Sequence, residues 1–256
     1  QRLVETTPDG LLPVVSKNGL QPWQVYARPF DHQDPRPRIA VVIGDMGLSR
    51  VATDTELHRL PANVTMAFDV HAEAVDAWLE RARHEGHETL LSIPMEPYDY
   101  PRSDPGPQSL LTTLPDSDLI GRLNKFLGKG VGYVGVTTLT GSRFSADKDK
   151  VALLLEALKK RGLMVYDSQV TRNSVLGIMA EKMHVPVAVN SLVIDEDPTP
   201  ETIDRLLMSL EKTARIEGSV VALASPLPIT LDRLAIWSKG LAERGFVLAP
   251  LSAVVH

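Results

Sequence analysis

Apolar and polar positions along this chain fall into a repeating unit: a short unbroken aliphatic run, a polar break, then a stretch with apolar residues every three or four positions. The first complete unit opens with Arg38-Ile39-Ala40-Val41-Val42-Ile43-Gly44-Asp45-Met46-Gly47. An aliphatic run without alternation marks a strand covered on both faces, as in parallel sheets flanked by helices. This run stops at Gly44-Asp45 and so delivers a carboxylate to the strand's end, where such sheets hold their ligands. The same Asp45 would serve equally well as the cap of the following helix.

The remaining units follow in order. A helix is predicted over 49–60, ended by Pro61. A strand over 64–68 ends at Asp69, and a helix over 72–85 is closed by Gly86. The third strand, 89–93, runs into Pro94-Met95-Glu96-Pro97. Residues 97–115 then break the rhythm with five prolines, Gly106 and two tyrosines; loops this long are uncommon and often functional. Helix 115–127 and strand 133–136 lead to the polar segment 137–143. Helix 147–161 carries Val151, Leu154, Leu155 and Leu158 on one face, and strand 163–166 ends at Asp167-Ser168. Helix 174–183, strand 185–189, helix 199–217 (with a break expected near Pro200), strand 220–224, helix 230–244 and strand 246–248 complete the chain. About eight strands alternating with helices predict a (β/α) barrel or a related open sheet.

Residues 1–37 hold six prolines, Gly10 and Gly19 and show no sustained period, so they are expected to form an arm or linker ahead of one domain over 38–256. Their short apolar pieces, 11–15 and 23–26, suit an arm that lies against the domain.

Composition narrows the function. With 256 residues and 43% hydrophobic content the chain can bury a sizeable core. A formal net charge of -5, with the charges scattered, argues against nucleic acid. The absence of cysteine excludes disulfides, thiolate nucleophiles and Cys-based zinc sites. No apolar run approaches the roughly 18 residues of a membrane span. Because the chain begins at Gln1, an N-terminal segment carrying a signal or anchor is expected to have been removed.

Polar groups collect just past the strands: Asp45, Asp69, Glu96, the 137–143 segment, Asp167, Asn190 with Asp195, and Ser225. A barrel gathers the C-terminal ends of its strands, so these residues are expected to converge on one mouth.

Many short motifs agree in order with a known family. They are Ile43-Gly44-Asp45-Met46-Gly47-Leu48-Ser49, Leu60-Pro61 with Val64-Thr65, Gly86-His87-Glu88 with Pro94-Met95-Glu96-Pro97, Asp104-Pro105-Gly106-Pro107, Gly141-Ser142-Arg143-Phe144, Arg161-Gly162-Leu163 with Asp167-Ser168, and Thr230-Leu231 with Trp237. From about residue 38 to the end, the chain resembles the divergent polysaccharide deacetylases. The resemblance implies a distorted (β/α) barrel of the NodB type with about seven or eight mostly parallel strands. It further implies an extracytoplasmic, periplasmic setting and a cell-envelope glycan as partner.

Active relatives resemble zinc hydrolases: one aspartate and two histidines hold a divalent metal that polarises the acetyl carbonyl and activates water, and a second aspartate is general base. This chain departs from that pattern at the metal. Where the family reads Asp-Asp it has Gly44-Asp45, where the family has Asn-Asn-His-Met-Gly-Ser it has Thr137-Thr138-Leu139-Thr140-Gly141-Ser142, and for Gly-His-Pro it has Ala224-Ser225-Pro226. A histidine often found near the end of the third strand is Ser92. Of the seven histidines only His71 is placed to reach the mouth. No cofactor is therefore expected, although Asp45, Glu96, Asp167 and Asp195 together would suit a hard cation.

Two functions remain open. As an enzyme, the protein would be a carbohydrate deacetylase or hydrolase with Asp45 as general base, or paired with Asp167 or Glu96. Ser142, Arg143, Asp195 and Tyr98 would then contact substrate. As a binding module it would keep the barrel and bind cell-wall glycan or a protein, with tyrosines such as Tyr98, Tyr100 and Tyr133 stacking on sugar rings.

Overall fold

The aliphatic runs and the stretches of helical period alternate in space as they do along the chain. In the computed structural model, which describes residues 3–256, the arm contributes β1 (Val4–Thr7), β2 (Gly10–Pro13) and a single turn, α1 (Pro22–Val25). The domain continues with β3 (Arg38–Met46), α2 (Arg50–Arg59), β4 (Thr65–Asp69), α3 (Val75–His84), β5 (Thr89–Ser92) and α4 (Asp116–Leu127). Next come β6 (Gly135–Thr137), α5 (Lys148–Arg161), β7 (Met164–Asp167), α6 (Leu176–Met183), β8 (Val187–Val189) and β9 (Leu192–Val193). The chain ends with α7 (Pro200–Glu217), β10 (Ser219–Ala224), α8 (Pro228–Lys239), β11 (Val247–Leu248) and a closing 3₁₀ turn, Leu251–Val254.

The strands are ordered β8-β7-β6-β5-β4-β3-β10-β9, and each neighbouring pair is parallel. Only Asn190 and Ser191 separate β8 from β9, so one extended segment pairs with β7 through its first half and with β10 through its second. That shared segment closes the circuit into a distorted barrel. β11 takes the lower part of the β3 edge, at Arg38 and Ile39, that β4 takes higher up from Val42.

Alternation along each strand divides the core in two. Ala40, Val42, Ala67, Leu90, Met164 and Ala188 point into the barrel. Ile39, Val41, Ile43, Met66 and Phe68 point out, beneath the helices. The N-terminal end of the barrel is sealed by Trp23, Tyr26 and Phe30 of the arm together with Leu251, Ala253 and Val254. A buried carboxylate pins this seal: Glu88 accepts from the Ser252 amide (2.9 Å), the Ser252 hydroxyl (2.5 Å) and the Arg28 amide (3.3 Å). The opposite end carries the loops that follow the strands.

Three local expectations change. Pro200 does not break its helix but starts it, in the first turn where a missing N–H costs nothing, and Thr199 caps the same end by accepting from the Thr202 amide. Pro228 likewise moves the start of α8 ahead of 230, and the helix ends at Lys239. β9 is new; two residues are too short to leave a period. Within the arm, β1 and β2 form an antiparallel hairpin whose Leu12 is buried in the main core.

Candidate functional site

At the C-terminal end of β3 the ladder is irregular: Val42 and Ile43 pair with Thr65 and Met66, but Met46 pairs with Phe68, leaving one extra residue on β3. Such a bulge re-aims side chains. Here it places Asp45 in the left-handed region, φ 51°, a conformation that aspartate tolerates better than most residues. The Asp45 carboxyl reaches the exposed rim and has no hydrogen-bond partner among the described residues. Partial burial, and then the neighbouring charge of Asp69, raise its pKa.

Asp69 ends the adjacent strand. Its Oδ1 accepts from the His71 amide (2.7 Å) and lies 3.5 Å from His71 Nδ1. The other ring nitrogen, Nε2, donates to the Pro107 carbonyl at 3.0 Å, and the ring meets Phe126 edge-on at 5.8 Å. His71 therefore reaches the rim but is held beneath the long 97–115 loop. Neither Asp69 nor His71 was among the residues expected to do chemistry, although the strand-end rule marks Asp69.

The other three expected carboxylates are buried and occupied. Asp167 accepts from the Gln169 amide (3.0 Å) on Oδ1, and from Gln169 Nε2 (2.7 Å), the Ser174 hydroxyl (2.9 Å) and the Gly177 amide (3.0 Å) on Oδ2. It fastens the β7–α6 loop to the start of α6. Asp195 accepts from the Ser225 amide (2.8 Å), the Thr230 hydroxyl (2.8 Å) and, more distantly, the Ser225 hydroxyl (3.4 Å). Burial pushes its carboxyl up while these hydrogen bonds pull it down. Glu96 Oε2 accepts from the Thr112 amide (2.5 Å) and hydroxyl (2.7 Å).

Four of the expected residues do meet. Arg143 lies 3.7 Å from Glu96 Oε1 and donates to the Tyr98 carbonyl at 3.0 Å, and Ser142 Oγ accepts from the Tyr98 amide at 3.0 Å. This cluster anchors the long loop to the β6–α5 loop and leaves the Tyr98 side chain exposed. No hydrogen bond or ion pair among the described residues joins it to Asp45. Asp45 and Asp167, expected to share an acid/base site, lie on β3 and β7, four places apart in the strand order, and no hydrogen bond among the described residues joins them.

The centre of the mouth is apolar. Leu139, in the loop after β6, reaches over to β3, where a Cβ built on Gly44 would lie 2.7 Å from Leu139 Cδ1 and 3.7 Å from Leu223 Cδ1. The residues at the family's metal-holding positions do not fit a metal: Gly44 and Leu139 have no donor atom, and the Ser225 hydroxyl is turned to Asp195. No group of three or more His, Cys, Asp or Glu residues suited to a metal occurs among the described residues.

Comparison with known proteins sets this geometry in a family. The model for divergent polysaccharide deacetylase matches residues 41–255. The chain is similar to an uncharacterized protein of Agrobacterium tumefaciens whose crystal structure superposes with TM-score 0.92 at 34% identity, covering 96% of this chain and 99% of that one. It is 24% identical over 206 residues to an uncharacterized protein of Haemophilus influenzae, covering 80% of this chain and 72% of the relative. The catalytic domain of a peptidoglycan N-acetylglucosamine deacetylase from Eubacterium rectale shares the fold alone, with TM-score 0.51 and 11% identity over 84% of this chain and 89% of that domain. This chain belongs to the divergent polysaccharide deacetylase family.

Proposed function

We propose that the protein binds cell-envelope glycan on the extracytoplasmic side, using a deacetylase-type barrel whose metal-hydrolase centre has been replaced by hydrocarbon. The observation that carries this reading is the seat of Leu139 over Gly44. A metal-dependent deacetylase needs about three protein ligands and an open coordination position where an acetyl oxygen is polarised. A leucine over a glycine offers neither. The family and the fold shared with a glycan deacetylase support glycan as the ligand class. The test is to offer N-acetylated cell-wall fragments and follow binding calorimetrically and acetate release enzymatically. Binding without acetate release above background is expected; acetate release that zinc stimulates overturns the reading.

Asp45 favours a second reading. It is the one expected site carboxylate without a hydrogen bond among the described residues, and its raised pKa suits a proton-transfer group. In a metal-free hydrolase Asp45 would take a proton from water, with Asp69 rather than Asp167 beside it. Acetate or sugar release that survives chelation and disappears in Asp45→Asn would establish this activity.

A further inference from the structure

With Leu139 seated over Gly44, the ligand needs another seat, and a cleft of 390 Å³ opens between the loops that follow β3 and β4. It lies between the β3–α2 loop, which supplies Gly47, Leu48 and Arg50, and the β4–α3 segment, which supplies His71 to Ala74 and then Ala77, Trp78 and Arg81. Its volume falls within the roughly 300–1,000 Å³ of small-ligand sites. We infer that this cleft is the glycan seat, and that it holds an N-acetylated hexose unit; the inference rests on the glycan-binding reading above.

The floor is built by a close approach of the two loops. Gly47 has φ 89°, and a Cβ there would lie 2.7 Å from the Ala72 Cβ and 3.7 Å from Trp78 Cδ1. Glycine thus lets the loops touch and leaves a shallow surface of backbone, alanine methyls and one indole edge. A hexose ring presents a flat C–H face to such a floor, and an acetamido methyl is small enough to rest on it.

The rim carries both signs of charge. Arg50 has no hydrogen bond or ion pair among the described residues, while Arg81 stands over the Trp78 ring at 5.7 Å and pairs with Asp54. Facing these donors is Glu73, and His71, whose Nδ1 lies 3.5 Å from Asp69 Oδ1, completes the rim. Mixed donors and acceptors around an apolar floor complement a polyhydroxylated ring better than an aliphatic chain, which would leave the rim unpaired. The lip is also apolar where it has no folding reason to be: Leu48 is 59% exposed.

The test is calorimetric titration of chitotetraose into the wild-type protein, Ala77→Arg and Leu48→Glu, with thermal melts of all three. Ala77 is exposed on α3 and Leu48 is exposed on its loop, so neither substitution enters the core. The expected result is binding by the wild type and at least tenfold weaker binding by both variants at unchanged melting temperature. Wild-type affinity in both variants overturns the cleft while leaving glycan binding intact. A wild-type protein that ignores both chitotetraose and its N-deacetylated counterpart overturns the cleft together with the reading beneath it.

Discussion

Leu139 Cδ1 lies where it would be 2.7 Å from a Cβ at Gly44, so the two residues occupy one volume between them. Real Cβ contacts do not come this close, and any side chain at 44 requires the end of Leu139 to shift. The two departures from the family pattern are therefore one structural change. Losing the side chain at the end of β3 makes room for a leucine from the far side of the ring, and hydrocarbon closes the place where a charged centre would need water and ligands.

Gly44→Ala is expected to cost about 1 kcal/mol through overpacking, since the end of a half-exposed leucine can move but loses contacts. In the Leu139→Ala background the same substitution should cost much less, with a coupling of at least about 0.5 kcal/mol. Urea denaturation of the four proteins measures it; additive effects would show that the residues do not share the space.

Glu56 offers a pH prediction. It sits on α2 with 0% exposure, and both carboxyl oxygens lack partners among the described residues. Burial raises its pKa from 4.5 to about 7. The folded state thus binds more protons than the unfolded state between these values, so stability falls as pH rises. The stabilisation is complete below about 4.5 and is lost as pH passes through about 7, by roughly 3 kcal/mol at most. Glu56→Gln should remove this part of the pH dependence and melt higher than the wild type at pH 8. A wild-type melting temperature flat from pH 4.5 to 8 would contradict it.

Asp167 and Asp45 should differ in what their replacement costs. Asp167→Ala strips partners from Gly177 N, the Ser174 hydroxyl and Gln169 in a buried setting, which should cost on the order of 2–4 kcal/mol. Asp45→Asn keeps a residue suited to the left-handed backbone and relieves repulsion with Asp69, so its stability should stay within about 0.5 kcal/mol of wild type. Denaturation midpoints decide; equal losses would place the two carboxylates in similar roles.

The barrel was legible because most of its strands are short aliphatic runs bounded by turn signals, in alternation with longer stretches of helical period. The strand-end rule likewise located Asp45, Glu96, Asp167 and Asp195. Their states were not legible, because the partners that occupy them are set by loop conformation: Thr112 for Glu96, Ser174 and Gly177 for Asp167, Thr230 for Asp195. Closure of the ring was hidden for a similar reason. Leu192-Val193 is too short to show a period, and its pairing with β10 depends on where the preceding Asn190-Ser191 corner turns. Gly44 and Leu139 each stood out against the family pattern, but only the fold reveals that they touch.

The most direct measurement is equilibrium dialysis of zinc against the wild type and a Gly44→Asp, Leu139→His, Ser225→His triple variant. Removing Leu139 clears the space that a carboxylate at 44 requires, and the two imidazoles complete a three-ligand set. The wild type should retain no stoichiometric zinc, and the folded triple variant should bind zinc tighter by orders of magnitude. Stoichiometric zinc in the wild type, lost on replacing Asp45, would contradict the account.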